Sequence, residues 1–137
     1  MSSGASVGSG RLETLAAEAR ARAYAPYSGY SVGAALEADD GTVFTGCNVE
    51  NASYSVTCCA ERSALFAAVS AGHRAFRRIV VTAAGRAPHP CGACRQALAE
   101  FAPHLEVVVL TDAGERHDST LDLLLPYPFR FKKQGSA

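Results

Sequence analysis

The spacing of apolar residues first predicts an amphipathic helix over residues 11–24. Five apolar side chains recur there at helical intervals: Leu12, Leu15, Ala16, Ala19 and Ala23. Pro26 cannot continue the helical hydrogen bonds, and Ser28 with Gly29 favours a turn. The helix is therefore expected to end before this turn.

A β-hairpin is predicted after the turn. Residues 30–38 and 42–49 have the composition of strands, and the Asp-Asp-Gly sequence at 39–41 favours a tight connection between them. The polar segment 50–55 is expected to form a loop.

Helices and strands alternate in the second half of the chain. Helices are predicted at 59–71, 91–102 and 119–126, and strands at 77–84 and 105–112. The helix at 59–71 is apolar almost all round, which in so short a chain favours burial at a subunit interface. A hairpin followed by βαβ units predicts an α/β fold with a mixed sheet and helices on both faces.

Length and charge indicate one domain that acts on a small molecule. The chain has 137 residues, of which 48% are hydrophobic, and 13 basic residues balance 13 acidic ones. We expect a single domain at 11–130, a flexible Ser/Gly-rich segment at 1–10 and a tail at 131–137. A basic excess is typical of polynucleotide binders, so no nucleic-acid partner is expected. No apolar run reaches the roughly 18 residues of a membrane span, so no membrane partner is expected either.

The cysteine count favours reduced thiols. The first ten residues do not have the pattern of a signal peptide, and five cysteines is an odd number. A disulfide framework is therefore not expected, and a cytoplasmic location is. The cysteines would then serve metal binding, catalysis or packing.

Three cysteines and a glutamate predict a catalytic zinc site. Cys91 and Cys94 lie one helical turn apart at a predicted helix start, and Cys59 also opens a helix. Two helix N-termini, which favour thiolates, can thus converge on one ion. Three thiolates leave the fourth position of zinc open for water. Glu61, two residues after Cys59, is placed to hold and transfer protons there.

Other uses of the cysteines stay open at this point. The CxxC spacing is also that of thiol–disulfide proteins, although that reading leaves Cys59 and Glu61 unexplained. A non-catalytic zinc module could use Cys58 as a fourth ligand, but adjacent residues at a helix start point in different directions. Cys58 and Cys47 are otherwise expected to be small apolar fillers.

The segments "CNVENASYSVTCCAERSALF", "PCGACRQ" and "LLPYPF" together resemble the small cytidine deaminases, over about residues 11–129. The spacing C-x-E followed by P-C-x-x-C is typical of zinc deaminases. The resemblance implies a three-layer α/β/α fold with a mixed five-position sheet. It also implies one Zn²⁺ per subunit, held by Cys59, Cys91 and Cys94.

The activity implied by this resemblance is hydrolysis of cytidine and deoxycytidine to uridine and deoxyuridine with release of ammonia, as in pyrimidine salvage. A zinc-bound hydroxide would attack C4 of the base while Glu61 shuttles protons. The resemblance also implies a homotetramer with shared active sites.

Substrate contacts follow from the same resemblance. Asn48 and Glu50 match residues that bind the ribose 3′-hydroxyl, although an ordinary Asx turn would also explain "NVEN". Backbone N–H groups at the helix start, from Ala60 on, would hold the pyrimidine. Tyr54 and Phe129 match aromatic positions that reach across to neighbouring subunits.

Arginines stand beside two of the ligands. In relatives with three cysteine ligands, an arginine at the position of Arg62 hydrogen-bonds the ligand sulfurs, and its charge would offset that of the thiolates. Arg95 could lie beside the sulfurs or at the surface.

Tyr30 is a departure from the pattern, because most relatives have phenylalanine there, packed near the nucleoside. The tyrosine hydroxyl needs a partner of its own. The blasticidin S deaminases are similar here but lack the glutamate that reads ribose. A blasticidin S deaminase-like or broadened specificity therefore stays an alternative.

Overall fold

A five-stranded mixed sheet forms the centre of the protein, in a computed structural model that describes residues 4–131. The strands are β1 Val32–Ala38, β2 Val43–Cys47, β3 Phe76–Ala83, β4 Glu106–Thr111 and β5 Arg116–Thr120. They lie in the order β2-β1-β3-β4-β5, and only β3 and β4 are parallel neighbours within this sheet. The predicted mixed sheet of five positions is confirmed.

Helices cover both faces of this sheet. They are α1 Gly4–Arg20, α2 Ala60–Ser70, α3 Gly92–Ala99 and α4 Leu121–Leu124. On one face, Leu12 and Ala16 of α1 pack against Ala35 of β1. Side chains alternate along a strand, so Leu36 enters the core on the other face, which it shares with Leu65 of α2. The predicted three-layer arrangement is confirmed.

Two glycines let the helices lie unusually close to the strands. A Cβ atom at Gly33 of β1 would overlap the backbone of Ala16 in α1. A Cβ atom at Gly46 of β2 would lie 2.5 Å from the carbonyl oxygen of Ala60 and also overlap the backbone of Ala64. The first turn of α2 therefore rests directly on β2.

The edge strand β5 corrects the sequence prediction, which placed a helix at 119–126 and no strand before it. The strand sequence "RHDST" is polar and none of it is fully buried, so no apolar alternation marks it. A tight turn creates the pairing with β4: the N–H of Thr111 donates to the carbonyl of Glu115 at 2.9 Å, and Gly114 has a φ of 95°.

The first helix also differs from its predicted bounds. It begins at Gly4, inside the segment expected to be flexible, and ends at Arg20 rather than at residue 24. The earlier end follows from a long-range pairing, in which the N–H of Tyr24 donates to Asn48 at 3.0 Å and its carbonyl accepts from Glu50 at 2.9 Å. Residues 1–3 and the expected tail from residue 132 on lie outside the described residues.

Helix α2 is not enclosed on every side within one chain. Ala64, Leu65 and Ala68 are buried, whereas Phe66 is 51% exposed. Within residues 4–131, none of the helices combines the length and apolar character needed to cross a membrane.

Candidate active site

Three cysteine thiols converge where two helices begin. Cys59 is the N-cap of α2, Cys91 is the N-cap of α3, and Cys94 lies in the first turn of α3. Their sulfurs all lie within 4.8 Å of one another, and Cys59 Sγ is 3.8 Å from Cys91 Sγ. Cys91 is exposed, Cys59 is half-buried and Cys94 is buried. One side of the cluster therefore faces outward while the other is anchored in the core.

The spacing and chemistry of these thiols fit a zinc ion. In a tetrahedral site with Zn–S bonds of about 2.3 Å, two sulfurs lie about 3.8 Å apart, which matches the separation between Cys59 and Cys91. Over the described part of the chain, these residues form the one cluster of three or more potential metal ligands. The neighbouring Cys58 is engaged elsewhere, since Ser63 Oγ donates to its sulfur at 3.6 Å.

A partly buried positive charge supports the cluster. Arg62 donates from Nη2 to Cys59 Sγ at 3.4 Å, while its buried Nε has no hydrogen-bond partner within residues 4–131. In the metal-free thiol cluster, the Cys94 thiol and Arg62 both stabilise a thiolate at Cys59 and lower its pKa. Cys94 in turn donates its proton to the Cys59 thiolate, and this hydrogen bond together with burial raises the pKa of Cys94.

Glu61 is a carboxyl group inside the protein. It lies in the first turn of α2, is 4% exposed, and borders the same cavity as Cys59 and Cys91. Burial raises the pKa of Glu61 to about 7, with a further contribution from the charge of Cys59. A carboxyl group with such a pKa can both accept and donate a proton near neutral pH.

The cavity in front of the thiols has a volume of about 240 Å³. Twelve residues line it: Ser28, Tyr30, Val32, Asn48, Glu50, Thr57, Cys59, Ala60, Glu61, Pro88, His89 and Cys91. A second cavity of about 310 Å³ shares Ser28, Glu50 and Thr57 with the first. Cys59, Cys91 and Glu61 line only the first cavity, so they lie to one side of the residues that the two cavities share.

Known proteins with this arrangement are deaminases. Residues 10–111 match the family model of the cytidine and deoxycytidylate deaminase zinc-binding region. The chain belongs to this deaminase family. A cytidine deaminase of Sporosarcina psychrophila is 50% identical over 123 residues, which cover 86% of this chain and 90% of that protein.

Solved structures of the deaminase family have the same fold. The crystal structure of cytidine deaminase from Burkholderia pseudomallei matches with a TM-score of 0.84 and 48% identity, covering 88% of this chain and 98% of that one. A blasticidin-S deaminase of Bacillus cereus is 30% identical over 109 residues, which cover 73% of this chain and 77% of that protein. This deaminase is therefore a hydrolase with a zinc-binding region formed around the three thiols.

Asn48 and Glu50 both border the deaminase cavity, yet each is already committed to the local backbone. Asn48 Oδ1 accepts from the N–H of Val32 at 2.8 Å, and its Nδ2 donates to the carbonyl of Tyr30 at 2.8 Å. Glu50 Oε1 accepts from two N–H groups in the segment before β1, at 2.9 and 3.1 Å, and Oε2 accepts from Ser28 Oγ. An ionised carboxylate has about four acceptor sites, so Glu50 retains one for a ligand.

The two aromatic residues that the resemblance placed at subunit contacts lie outside the cavity next to the thiols. Tyr54 is 79% exposed and borders the second cavity, while Phe129 is 69% exposed. Gln96 holds the backbone of Phe129 by two hydrogen bonds of 2.9 Å each. The aromatic ring of Phe129 is thereby presented to solvent.

Other residues of the site were not predicted from the sequence. Ser28 and His89 line the cavity, but nothing in their local sequence distinguishes them from ordinary loop residues. The side chain of Arg95 hydrogen-bonds two backbone carbonyl groups rather than the sulfurs. It donates to the carbonyl of Pro90 at 2.8 Å and to that of Leu124 at 2.7 Å, so it supports the backbone just before Cys91.

Proposed function

We propose that the protein hydrolyses cytidine and deoxycytidine to uridine and deoxyuridine and releases ammonia. The observation that carries this proposal is the meeting of three thiols with a buried carboxyl group, Glu61, at one end of a cavity. Both the cytidine deaminase from Sporosarcina psychrophila and the one from Burkholderia pseudomallei support it.

Cys59, Cys91 and Cys94 would hold the zinc ion. When bound, zinc would supply Lewis acidity toward a water molecule in the open position. Three anionic ligands weaken that effect, so the neighbouring residues have to compensate for them. Arg62 does so because its positive charge lies against the sulfur of Cys59.

Glu61 would manage the protons of the reaction. As a buried carboxyl group that borders the cavity beside the thiols, it would take a proton from the attacking water and deliver it to N3 of the pyrimidine. The new C–O bond forms at C4. Glu61 then takes the remaining proton from this oxygen and transfers it to the amino group, so that the C4–N bond breaks and the C4=O bond of uridine forms. Water and cytidine thus become uridine and ammonia, and the carboxyl group returns to its starting state.

The opposite end of the cavity would hold the sugar. Glu50 keeps one acceptor site and Asn48 keeps one N–H hydrogen after their backbone contacts are counted. One group could accept from a ribose hydroxyl while the other donates to it. Ala60, buried at the first turn of α2, borders the space between sugar and thiols and would hold the base through its backbone.

A homotetramer with shared active sites would complete the cavity. Phe66 on α2, Tyr54 and Phe129 all present large aromatic surfaces to solvent in the single chain. Burial of such surfaces between subunits is favourable. Light scattering at micromolar concentration tests this, with a tetramer expected and a monomer contradicting it.

The physiological role proposed is pyrimidine salvage in the cytoplasm. All five cysteines are free, which fits a compartment that keeps thiols reduced.

A blasticidin S deaminase-like specificity is the second candidate, because the Bacillus cereus enzyme of that name is 30% identical. Glu50 favours a nucleoside over blasticidin S, because the blasticidin S deaminases lack this glutamate. The deciding experiment offers zinc-loaded protein cytidine, deoxycytidine, cytidine monophosphate, cytosine and blasticidin S, and follows the ultraviolet change on deamination. Turnover of the two nucleosides is expected. Turnover of blasticidin S alone would favour the second candidate, and turnover of none would overturn the proposal.

A further inference from the structure

Tyr30 connects two walls of the cavity. It lines the cavity just before β1, and its hydroxyl donates to the carbonyl oxygen of Arg86 at 2.7 Å. The guanidinium carbon of Arg86 lies 4.5 Å from the centre of the Tyr30 ring, within the range of a cation–π interaction. Burial raises the pKa of the Tyr30 phenol even though the charge of Arg86 opposes this, so the hydroxyl keeps the proton that it donates.

Arg86 belongs to the 84–90 loop, which joins β3 to the N-cap residue Cys91. Pro88 and His89 of this loop line the cavity. The position of the loop therefore sets how much space is left for a ligand beside the thiols.

The two ends of the 84–90 loop have their own supports. Near its start, the N–H of Gly85 donates to Asp112 Oδ1 at 3.4 Å, which is long for a hydrogen bond. At its end, the carbonyl of Pro90 accepts from Arg95 at 2.8 Å. The contact with Tyr30 falls between these supports, next to the residues that face the cavity.

Tyr30 is itself fixed to the rigid part of the fold. Its N–H donates to Ser28 Oγ at 3.0 Å, and its carbonyl accepts from Asn48 Nδ2 at 2.8 Å. Asn48 is buried and also bonded to Val32 at the start of β1. A hydrogen bond from Tyr30 thus ties the loop to the central sheet.

We propose that the Tyr30 hydroxyl is a positioning group that holds the 84–90 loop against the cavity, so that Pro88 and His89 enclose the nucleoside. The kinetic part of this inference rests on the proposed function. The hydroxyl donates to the carbonyl oxygen of Arg86 rather than to a thiol or Glu61, so it is expected to act on substrate binding and to leave the chemical step and the metal unchanged.

The variant Tyr30→Phe tests the inference, because it keeps the ring and removes only the hydroxyl. Loss of one neutral hydrogen bond is expected to raise KM for cytidine by about fivefold, with kcat within about twofold of the wild type. Zinc content should be unchanged. In the zinc-loaded protein without substrate, amide hydrogen exchange should become faster at Gly85 and His89, the two loop residues whose N–H groups donate hydrogen bonds.

A second variant and a control separate this role from general effects. Arg86→Ala removes the stacked guanidinium but leaves the carbonyl acceptor, so it should change exchange and KM in the same direction by a smaller factor. Tyr24→Phe removes a hydroxyl from an exposed tyrosine that lines neither cavity and should match the wild type in both measurements.

Each result decides the proposal. Unchanged KM and unchanged exchange in Tyr30→Phe would overturn it. So would a raised KM without faster exchange in the loop, because the hydroxyl would then act on the substrate directly. Loss of zinc or of overall stability without a local change in exchange would also overturn it. Exchange is measured without substrate, so this part of the test holds even if no nucleoside is turned over.

Discussion

The guanidinium group of Arg62 donates to the sulfur of Cys59 at 3.4 Å, which places a positive charge beside three potential thiolates. Arg62→Gln removes this charge but keeps a hydrogen-bond donor. Supporting contacts of metal ligands typically contribute about 10- to 100-fold to metal affinity or activity, so a loss of that size is expected. Zinc content after dialysis against a chelator and steady-state kinetics measure it. Arg22→Gln, at an exposed arginine in the turn that follows α1, controls for loss of charge in general. Equal values for both variants would contradict the role of Arg62.

Cys94, which belongs to the thiol cluster, and Cys58, which does not, should respond differently to replacement by serine. Cys94→Ser replaces a buried sulfur of the cluster, so zinc content and activity should both fall to near background. Cys58→Ser replaces the adjacent thiol that contacts Ser63 instead, and it should keep one zinc per subunit and nearly full activity. Metal analysis of the purified variants gives the answer, and equal zinc loss from both would mean that Cys58 is a ligand.

Glu61→Gln should separate chemistry from metal binding. The amide has the size of the carboxyl group but cannot shuttle protons, so kcat should fall by at least about 10²- to 10⁴-fold. Zinc content should be unchanged, because Glu61 is not part of the thiol cluster. A Glu61→Gln variant with kcat near that of the wild type would show that another group transfers the protons.

The raised pKa of Glu61 also predicts a pH dependence of stability in the zinc-free protein. The pKa of the folded state, about 7, lies above the ordinary value of 4.5, so the folded state binds more protons between these values. The contribution of Glu61 to the free energy of unfolding is therefore fully present below about pH 4.5. It is lost as pH rises through 7, because the folded protein must then hold a buried charge. The loss corresponds to about 3 kcal/mol.

The matched measurement compares wild type with Glu61→Gln by urea unfolding from pH 4.5 to 8.5. The glutamine variant should gain stability relative to wild type as pH rises and then level off above pH 7. The three thiols are present in both proteins, so the difference reports Glu61 together with its interaction with the charge of Cys59. A constant difference across the whole range would contradict burial of an ionisable carboxyl group.

Glu50 has two roles that a pair of variants can separate. Glu50→Gln keeps the shape of the side chain but weakens acceptance from a ribose hydroxyl, so KM for cytidine should rise by about tenfold. Ser28→Ala removes the local donor to Glu50 but leaves the carboxylate available, so its effect on KM should be smaller. Ser28 Oγ also accepts from the N–H of Tyr30 at 3.0 Å, so a larger effect of Ser28→Ala would show that support of this segment matters more to substrate binding than the carboxylate of Glu50.

The thiol cluster could be predicted from sequence because each of its parts is marked by its local sequence and their spacing is typical of zinc deaminases. Cys59 and Cys91 each stand at the start of an apolar helix, and the fold brings those two helix starts together. Strand β5 and the early end of α1 could not be predicted, because each depends on a distant partner. The polar β5 exists through its pairing with β4, and Tyr24 leaves the helix to pair with Val49.

The partner of the Tyr30 hydroxyl shows the same limit. The sequence indicates that a tyrosine here needs a hydrogen bond, but the acceptor is a main-chain carbonyl 56 residues away. Every residue offers such a main-chain carbonyl, whatever its side chain, so no residue type marks the acceptor. Contacts between a side chain and a distant backbone group therefore appear only once the fold is known.

The missing side chain at Gly46 determines how deep the active site is. Ala60, the residue just before Glu61, rests against this glycine, so the floor of the cavity is set by the thickness of a bare backbone. Even one methyl group at position 46 would push the first turn of α2 outward, and the side chains of Cys59 and Glu61 would move with it. The positions of Cys59 and Glu61 are thus controlled from behind, by a strand position that does not line the cavity.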